Sequence, residues 1–210
     1  MLPEPAALLL FMAATLALNI TPGPDMIYVF TNSVGRGRTA GLVSALSIGA
    51  GCIVHTVAAA LGLSAILMSS PMAYDAVRYA GAAYLLFLGI KAFRAKTSPI
   101  LVAGKQMEPE RLSRVFWQGV TTSVLNPKVG LFFLAFIPQF VDPSRGSVGL
   151  QFLALGTLFN ISGTIVNALV AVAAGSAGEW MGNRPGFSRA QRWFTGGMFV
   201  ALGARIAMPK

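Results

Sequence analysis

The chain has 210 residues, 55% of them hydrophobic and 11% charged, with a net charge of +9 and a mean hydropathy of +0.67. A soluble domain carries about 25% charged residues and needs them to cover its surface, so this composition excludes an ordinary soluble fold and fits an all-α membrane protein in contact with lipid. The basic residues stand between apolar stretches rather than on an aromatic-interleaved patch, which excludes a nucleic-acid partner.

The N-terminus, Met1 to Pro5, holds Glu4 and no Lys or Arg. It lacks the basic leader of a cleaved signal peptide, so the first apolar stretch is expected to stay as a span. A helix needs about 20 mainly apolar residues to cross a bilayer. Six stretches supply them, at about 6–31, 41–68, 73–93, 116–140, 147–174 and 190–208.

The first span is interrupted by Thr21-Pro22-Gly23-Pro24. Pro22 and Pro24 lack backbone N–H groups and oppose hydrogen bonds to the carbonyls of Leu18 and Ile20. Gly23 between them permits backbone shapes closed to other residues. The helix is expected to break here and restart near Asp25. Free N–H groups and a positive dipole end would then make a place for a carboxylate. A simple proline kink is the plainer reading. Asp25 is the only acid well inside a span, so it needs a partner, a proton or water. Capping the restarted helix, binding an ammonium group and relaying a proton are all open to it.

The second span carries Ser47, Gly51 and His55 on one helix face, with Gly62 beyond. Gly51 and Gly62 suit close helix packing. His55 is either a proton shuttle or a hydrogen-bonded interior residue. After the third span, 94–115 contains Pro99, Gly104 and Pro109 and reads as a mobile polar linker between two halves.

The fourth span is interrupted by Asn126-Pro127, followed by Lys128. Pro127 frees the carbonyl of Ser123, and Asn126 can satisfy exposed backbone groups. Lys128 can pair with Asp25, hold a substrate carboxylate, or snorkel to the interface. The fifth span has Asn160, Thr164 and Asn167 on one face, which either joins helices or lines a pathway. The sixth is the least apolar and holds Arg192 and Arg205 near its ends.

Arg36, Arg38, Lys91, Arg94, Lys96, Lys105, Arg111, Arg114, Arg184, Arg189 and Arg192 all fall in the odd-numbered loops, eleven basic residues against four on the other side. The positive-inside rule puts those loops in the cytoplasm and both termini outside. The segment from Arg78 to Lys91 maps onto Arg192 to Arg205 at a constant offset. Ala40-Gly41-Leu42 echoes Val148-Gly149-Leu150, and Thr21-Pro22 echoes Asn126-Pro127. Three spans per half is odd, so the second half must sit inverted. The expected fold is one domain over 1–210, with repeat 1 at about 1–93, a cytoplasmic loop at 94–115 and repeat 2 at 116–210. Helices 1 and 4 are broken. Corresponding broken helices in inverted repeats are a pattern of secondary transporters.

Cys52 is the only cysteine and His55 the only histidine. No disulfide, redox pair or zinc cluster can form within the chain, and no cofactor is expected. No phosphate-binding loop of the Walker type occurs either. An intramembrane enzyme or a non-transport assembly protein is the alternative. The first would need a nucleophile, base or metal set that the sequence does not display.

Thr21-Pro22-Gly23-Pro24-Asp25, Gly51 with His55, Ala80-Gly81-Ala82-Ala83-Tyr84-Leu85 with Gly89, and Asn126-Pro127-Lys128 leading to Phe136-Ile137-Pro138-Gln139-Phe140 resemble the lysine exporter superfamily. Within it, the likeness is to the homoserine/threonine exporter group. The resemblance covers essentially the whole chain. It implies a six-helix exporter of amino acids or related metabolites in the bacterial inner membrane, driven by protons and not acting as an enzyme. Its partners would be that small substrate, protons and membrane lipids, with homo-oligomerisation left open.

Overall fold

The computed structural model describes residues 3–69, 71–94 and 107–182, together with 193, 196, 197, 200, 201, 203 and 204. The described residues form helices joined by short turns. Arg184, Arg189, Arg192 and Arg205, with most of the sixth expected span and residues 95–106 of the linker, lie outside them.

Helix α1 (Pro5–Ile20) ends at Thr21, whose N–H bonds back to the carbonyls of Ala17 and Leu18. Pro22 offers no N–H to continue the ladder. Gly23 is extended, and α2 (Pro24–Arg36) restarts with proline at its first position, where a missing N–H costs nothing. Gly37 ends α2 at φ +92°, a left-handed conformation suited to glycine. Helix α3 (Arg38–Ala58) runs through a π-helical turn (Ala59–Leu63) into α4 (Ser64–Ser69). Helix α5 (Pro71–Arg94) fills the third expected stretch without a break.

Helix α6 (Leu112–Val124) begins four residues before the expected span. Helix α7 (Pro127–Ala135) follows after Leu125 and Asn126, with a 3-10 turn at Ile137–Phe140 beyond it. Helix α8 (Val148–Gly182) runs past the expected end at 174. Among the described residues two helices are long and apolar enough to cross a membrane, Arg38–Ile66 and Val148–Ala174. The pairs Pro5–Ile20 with Pro24–Arg36 and Leu112–Val124 with Pro127–Phe140 are bent by 48° and 44°. Counting each bent pair as one crossing gives four. The two breaks expected from the prolines are therefore present.

Helix α3 lies at the centre, packed against α2, α6 and α8, while α1 lies on α8 and α5 on α7. Phe11 of α1, Phe132 of α7, Phe136 beyond it and Phe159 of α8 pack with ring centroids 4.7 to 6.5 Å apart. Large apolar side chains also point outward, Leu9 at 72% and Leu125 at 74% exposure. On a chain this poor in charge, such a surface is the face presented to lipid.

The linker is not loose at its far end. The N–H of Met107 donates to the carbonyl of Gly35 (3.0 Å), and Arg36 bridges to Glu110 (2.9 Å). The first and third loops thus meet at one end of the bundle. At the other end Glu4 bridges to Arg145.

Helix α5 also meets the C-terminal segment. A Cβ at Gly89 would lie 2.7 Å from Val200 and 2.9 Å from the Gly196 carbonyl. One at Gly203 would lie 2.9 Å from Leu86 and 3.0 Å from the Ala82 carbonyl. Under the offset of the sequence repeat, Gly89 corresponds to Gly203, Leu86 to Val200 and Ala82 to Gly196. The two sets of contacts are images of each other. The later glycine in each segment meets the earlier residues of the other, as in antiparallel helices. Gly62, by contrast, has nothing within 4 Å of a Cβ, so its expected packing role is not seen.

Candidate functional site: the meeting of two helix breaks

The breaks in α1–α2 and α6–α7 face each other. Lys128, one residue past Pro127, reaches across so that its Nζ donates to the carbonyl of Thr21 (2.7 Å). The side chain lies against Gly23, where a Cβ would stand 3.3 Å from Nζ. Lys128 therefore does not snorkel to the interface. Its ammonium occupies a carbonyl at the end of α1, the negative end of that helix dipole. It is not within ion-pair distance of Asp25 among the described residues, although the two charges are neighbours.

Asn126 serves the second break. Its Oδ1 accepts from the N–H of Lys128 (3.0 Å), capping α7. The side chain is 3% exposed and lies beside Asp25 of the other break. The second break thus sends a side chain to the first, Lys128 to Thr21, and Asp25 and Asn126 are neighbours across the junction.

Asp25 does not cap α2. The N-cap is Gly23, without a side-chain hydrogen bond, and Asp25 lies in the first turn. In place of the capping role open from sequence, its carboxylate stands at the positive end of the helix dipole, with Asn126, Lys128 and His55 nearby. One carboxylate oxygen, Oδ1, is sealed from solvent and accepts no hydrogen bond from the described residues. A buried acceptor left so has strong reason to take a donor from outside the protein.

Between the breaks and α8 is a cavity of about 30 Å³ lined by Thr21, Asp25, Lys128 and Asn160 of the expected set. That volume has room for about two water molecules and not for an amino acid. Pro22, Gly23, Pro24, Asn126 and Pro127 shape the breaks without lining it, and His55 lies outside it. The polar stripe of α8 faces the cavity through Asn160, Thr164 and Asn167. It also joins helices, because a Cβ on Gly49 would stand 2.6 Å from the Thr164 hydroxyl. The helix-joining role open from sequence is therefore seen, and the stripe also lines the cavity.

Sequence reading missed Asn19, which lines the cavity and donates to Ser162 (3.1 Å). A lone amide in the apolar run before Thr21 was the available signal. It also missed that Cys52, 4% exposed, lines the cavity. His55 Nε2 lies 3.1 Å from the carbonyl of Ser123, the group that Pro127 frees. No cluster of potential metal ligands occurs among the described residues.

The sequence model of the LysE type translocators matches residues 16–209. The chain is 28% identical over 198 residues to the leucine efflux protein of Salmonella typhimurium, covering 94% of this chain and 92% of that protein. It is 30% identical over 192 residues to an uncharacterized membrane protein of Pseudomonas aeruginosa, covering 90% and 88%. A Bacillus subtilis uncharacterized membrane protein is 29% identical over 209 residues, covering 96% and 99%. No solved structure matches the chain significantly.

Proposed function

We propose that this chain, which belongs to the LysE type translocator family, is a secondary active exporter of amino acids or closely related small metabolites across the bacterial inner membrane, driven by the proton gradient. The observation that carries the reading is the contact between the breaks, with Lys128 on the Thr21 carbonyl and Asp25 beside it facing a cavity. Unwound backbone at membrane depth is tolerated where it is buried in protein or lines a water-filled cavity.

The charges suit a zwitterion. Lys128 and the first-turn N–H groups of α2 favour the α-carboxylate, and Asp25 favours the α-ammonium. Leu18, Ile48, Val129 and Phe159 give an apolar wall, with Asn160 and Thr164 opposite. One acid and one base in the lining leave no counter-charge for a charged side chain. Neutral amino acids fit best. The relatives named leucine efflux protein agree with that class.

An amino acid exceeds the present cavity, so the breaks must part to admit it, and its carboxylate replaces the Thr21 carbonyl as partner of Lys128. Asp25, carrying either a proton or the substrate ammonium, couples the two. Six spans in two inverted repeats, with both termini periplasmic, complete the reading. Its support is the reciprocal contact of Gly89 and Gly203 and the segregation of basic loops.

The test is efflux from preloaded vesicles with and without an imposed pH gradient, using leucine, threonine and homoserine. Asp25→Asn keeps the shape and removes the titratable proton. Gradient-driven efflux is expected to be lost while substrate exchange and thermal stability persist. Gradient-dependent efflux by Asp25→Asn would remove Asp25 from proton coupling.

A further inference from the structure

The only histidine reaches the second helix break from a different helix. Pro127 lacks the N–H that would bond to the Ser123 carbonyl in a continuous helix. That oxygen accepts from the N–H of Asn126 (3.1 Å) in a tightened turn, which leaves a second lone pair. His55 Nε2, from α3, lies 3.1 Å from the same oxygen. The approach depends on small residues. A Cβ on Gly51, one turn before His55, would stand 2.6 Å from Ser123 Cβ, and one on Gly130 would stand 3.4 Å from the His55 ring. Phe133 packs beside the ring at 5.9 Å.

We propose that His55 is a positioning residue, a side-chain donor that stands in for the N–H missing at Pro127 and so fixes the angle of the second break. A carbonyl only accepts, so Nε2 carries the hydrogen in this contact. That holds for the neutral ring and for the protonated one alike, so the role needs no change of charge. What His55 holds is the carbonyl three residues before Asn126. Through it, His55 sets where Asn126 stands beside Asp25 and where Lys128 begins its reach to Thr21. Asp25 from α2, Lys128 from α7 and Cys52 on α3 are the ionisable groups near this junction.

The effect on transport rests on the export reading above, whereas the donor role does not, and the experiment separates them. His55→Gln places an amide donor at about the reach of Nε2, and His55→Leu removes the donor at similar bulk. Loss of one hydrogen bond at the site is expected to lower His55→Leu efflux about five- to tenfold. His55→Gln is expected to stay within about twofold of the parent, a residual mismatch smaller than one hydrogen bond. The shape of its pH profile should be unchanged. Efflux lost in a His55→Gln protein that melts like the parent would overturn the inference in favour of a titrating histidine.

The second arm needs no substrate. Pro127→Ala returns the backbone N–H, so the drop in melting temperature from His55→Leu should shrink in that background. An equal drop in both backgrounds would overturn the inference. If no tested amino acid is exported even by the parent, the export reading fails while the melting cycle still decides the role of His55.

Discussion

Asn126 does two things at one break, and two substitutions separate them. It caps α7 through Oδ1 and holds its amide beside Asp25. Asn126→Ala loses both and should cost about 1 kcal/mol of stability, the usual size of a capping change. Asn126→Asp keeps the cap, because Asp and Asn cap about equally well, but sets a second carboxylate beside Asp25. Its stability loss should shrink as the pH falls and one of the two carboxyls takes a proton, and its efflux should be the more impaired, as read by melting in detergent and vesicle efflux. Lys128→Met keeps the bulk and removes the ammonium from the Thr21 carbonyl. Efflux should fall to background in a protein that still inserts and melts cooperatively, and normal efflux would exclude Lys128 from the carboxylate site. The meeting of Asp25 and Lys128 at the breaks was legible because charges at membrane depth are rare. Their partners were not. Lys128 had three roles open to it, and the bond it makes to the Thr21 carbonyl, set by the approach of the two breaks, was none of them.

At the scale of elements, both breaks were legible because proline acts on its own backbone, whatever surrounds it. Helix ends were less so. The start of α6 at Leu112 is set by contacts that residues before it make with Gly35 and Arg36, distant in sequence. The π-helical turn at Ala59–Leu63 has no proline or polar signal, and Gly62 within it faces open space. Gly51 was rightly read as a packing residue. A methyl group there would meet Ser123 Cβ at 2.6 Å and the Val120 carbonyl at 2.7 Å, and backbone does not give way cheaply. Gly51→Ala should therefore destabilise the protein by about 1–3 kcal/mol, the usual cost of overpacking. Gly62→Ala should change the melting temperature far less.

For the whole molecule, charge segregates by end. Arg36 and Glu110, 16% and 13% exposed, tie the first and third loops together, while Glu4 and Arg145 join at the opposite end. The positive-inside rule read from sequence placed the first and third loops on one side, and their contact agrees. Which side faces the cytoplasm is a matter for labelling. Tags at both termini should be accessible from the periplasm and one near Gly104 from the cytoplasm only, and a cytoplasmic C-terminus would reject the arrangement. Arg36→Glu and Glu110→Arg should each lower thermal stability, and the double exchange should recover part of it, because a half-buried pair broken on one side leaves a charge uncompensated. The inverted halves of the proposed arrangement rest on a faint offset in sequence. The reciprocal glycine contacts between α5 and the C-terminal segment give that offset a physical form.

The lone cysteine gives the wild-type protein a built-in reporter. Cys52 is buried against the cavity, and the sequence holds no other thiol to compete with it. In any conformation that opens the breaks to one compartment, a membrane-impermeant thiol reagent added to that compartment alone should modify it. The rate would measure how often the pathway opens to that face. Saturating substrate should slow the modification, and a permeant reagent should lose the sidedness. The alternating access that the proposed export requires is therefore open to test without engineering a single residue.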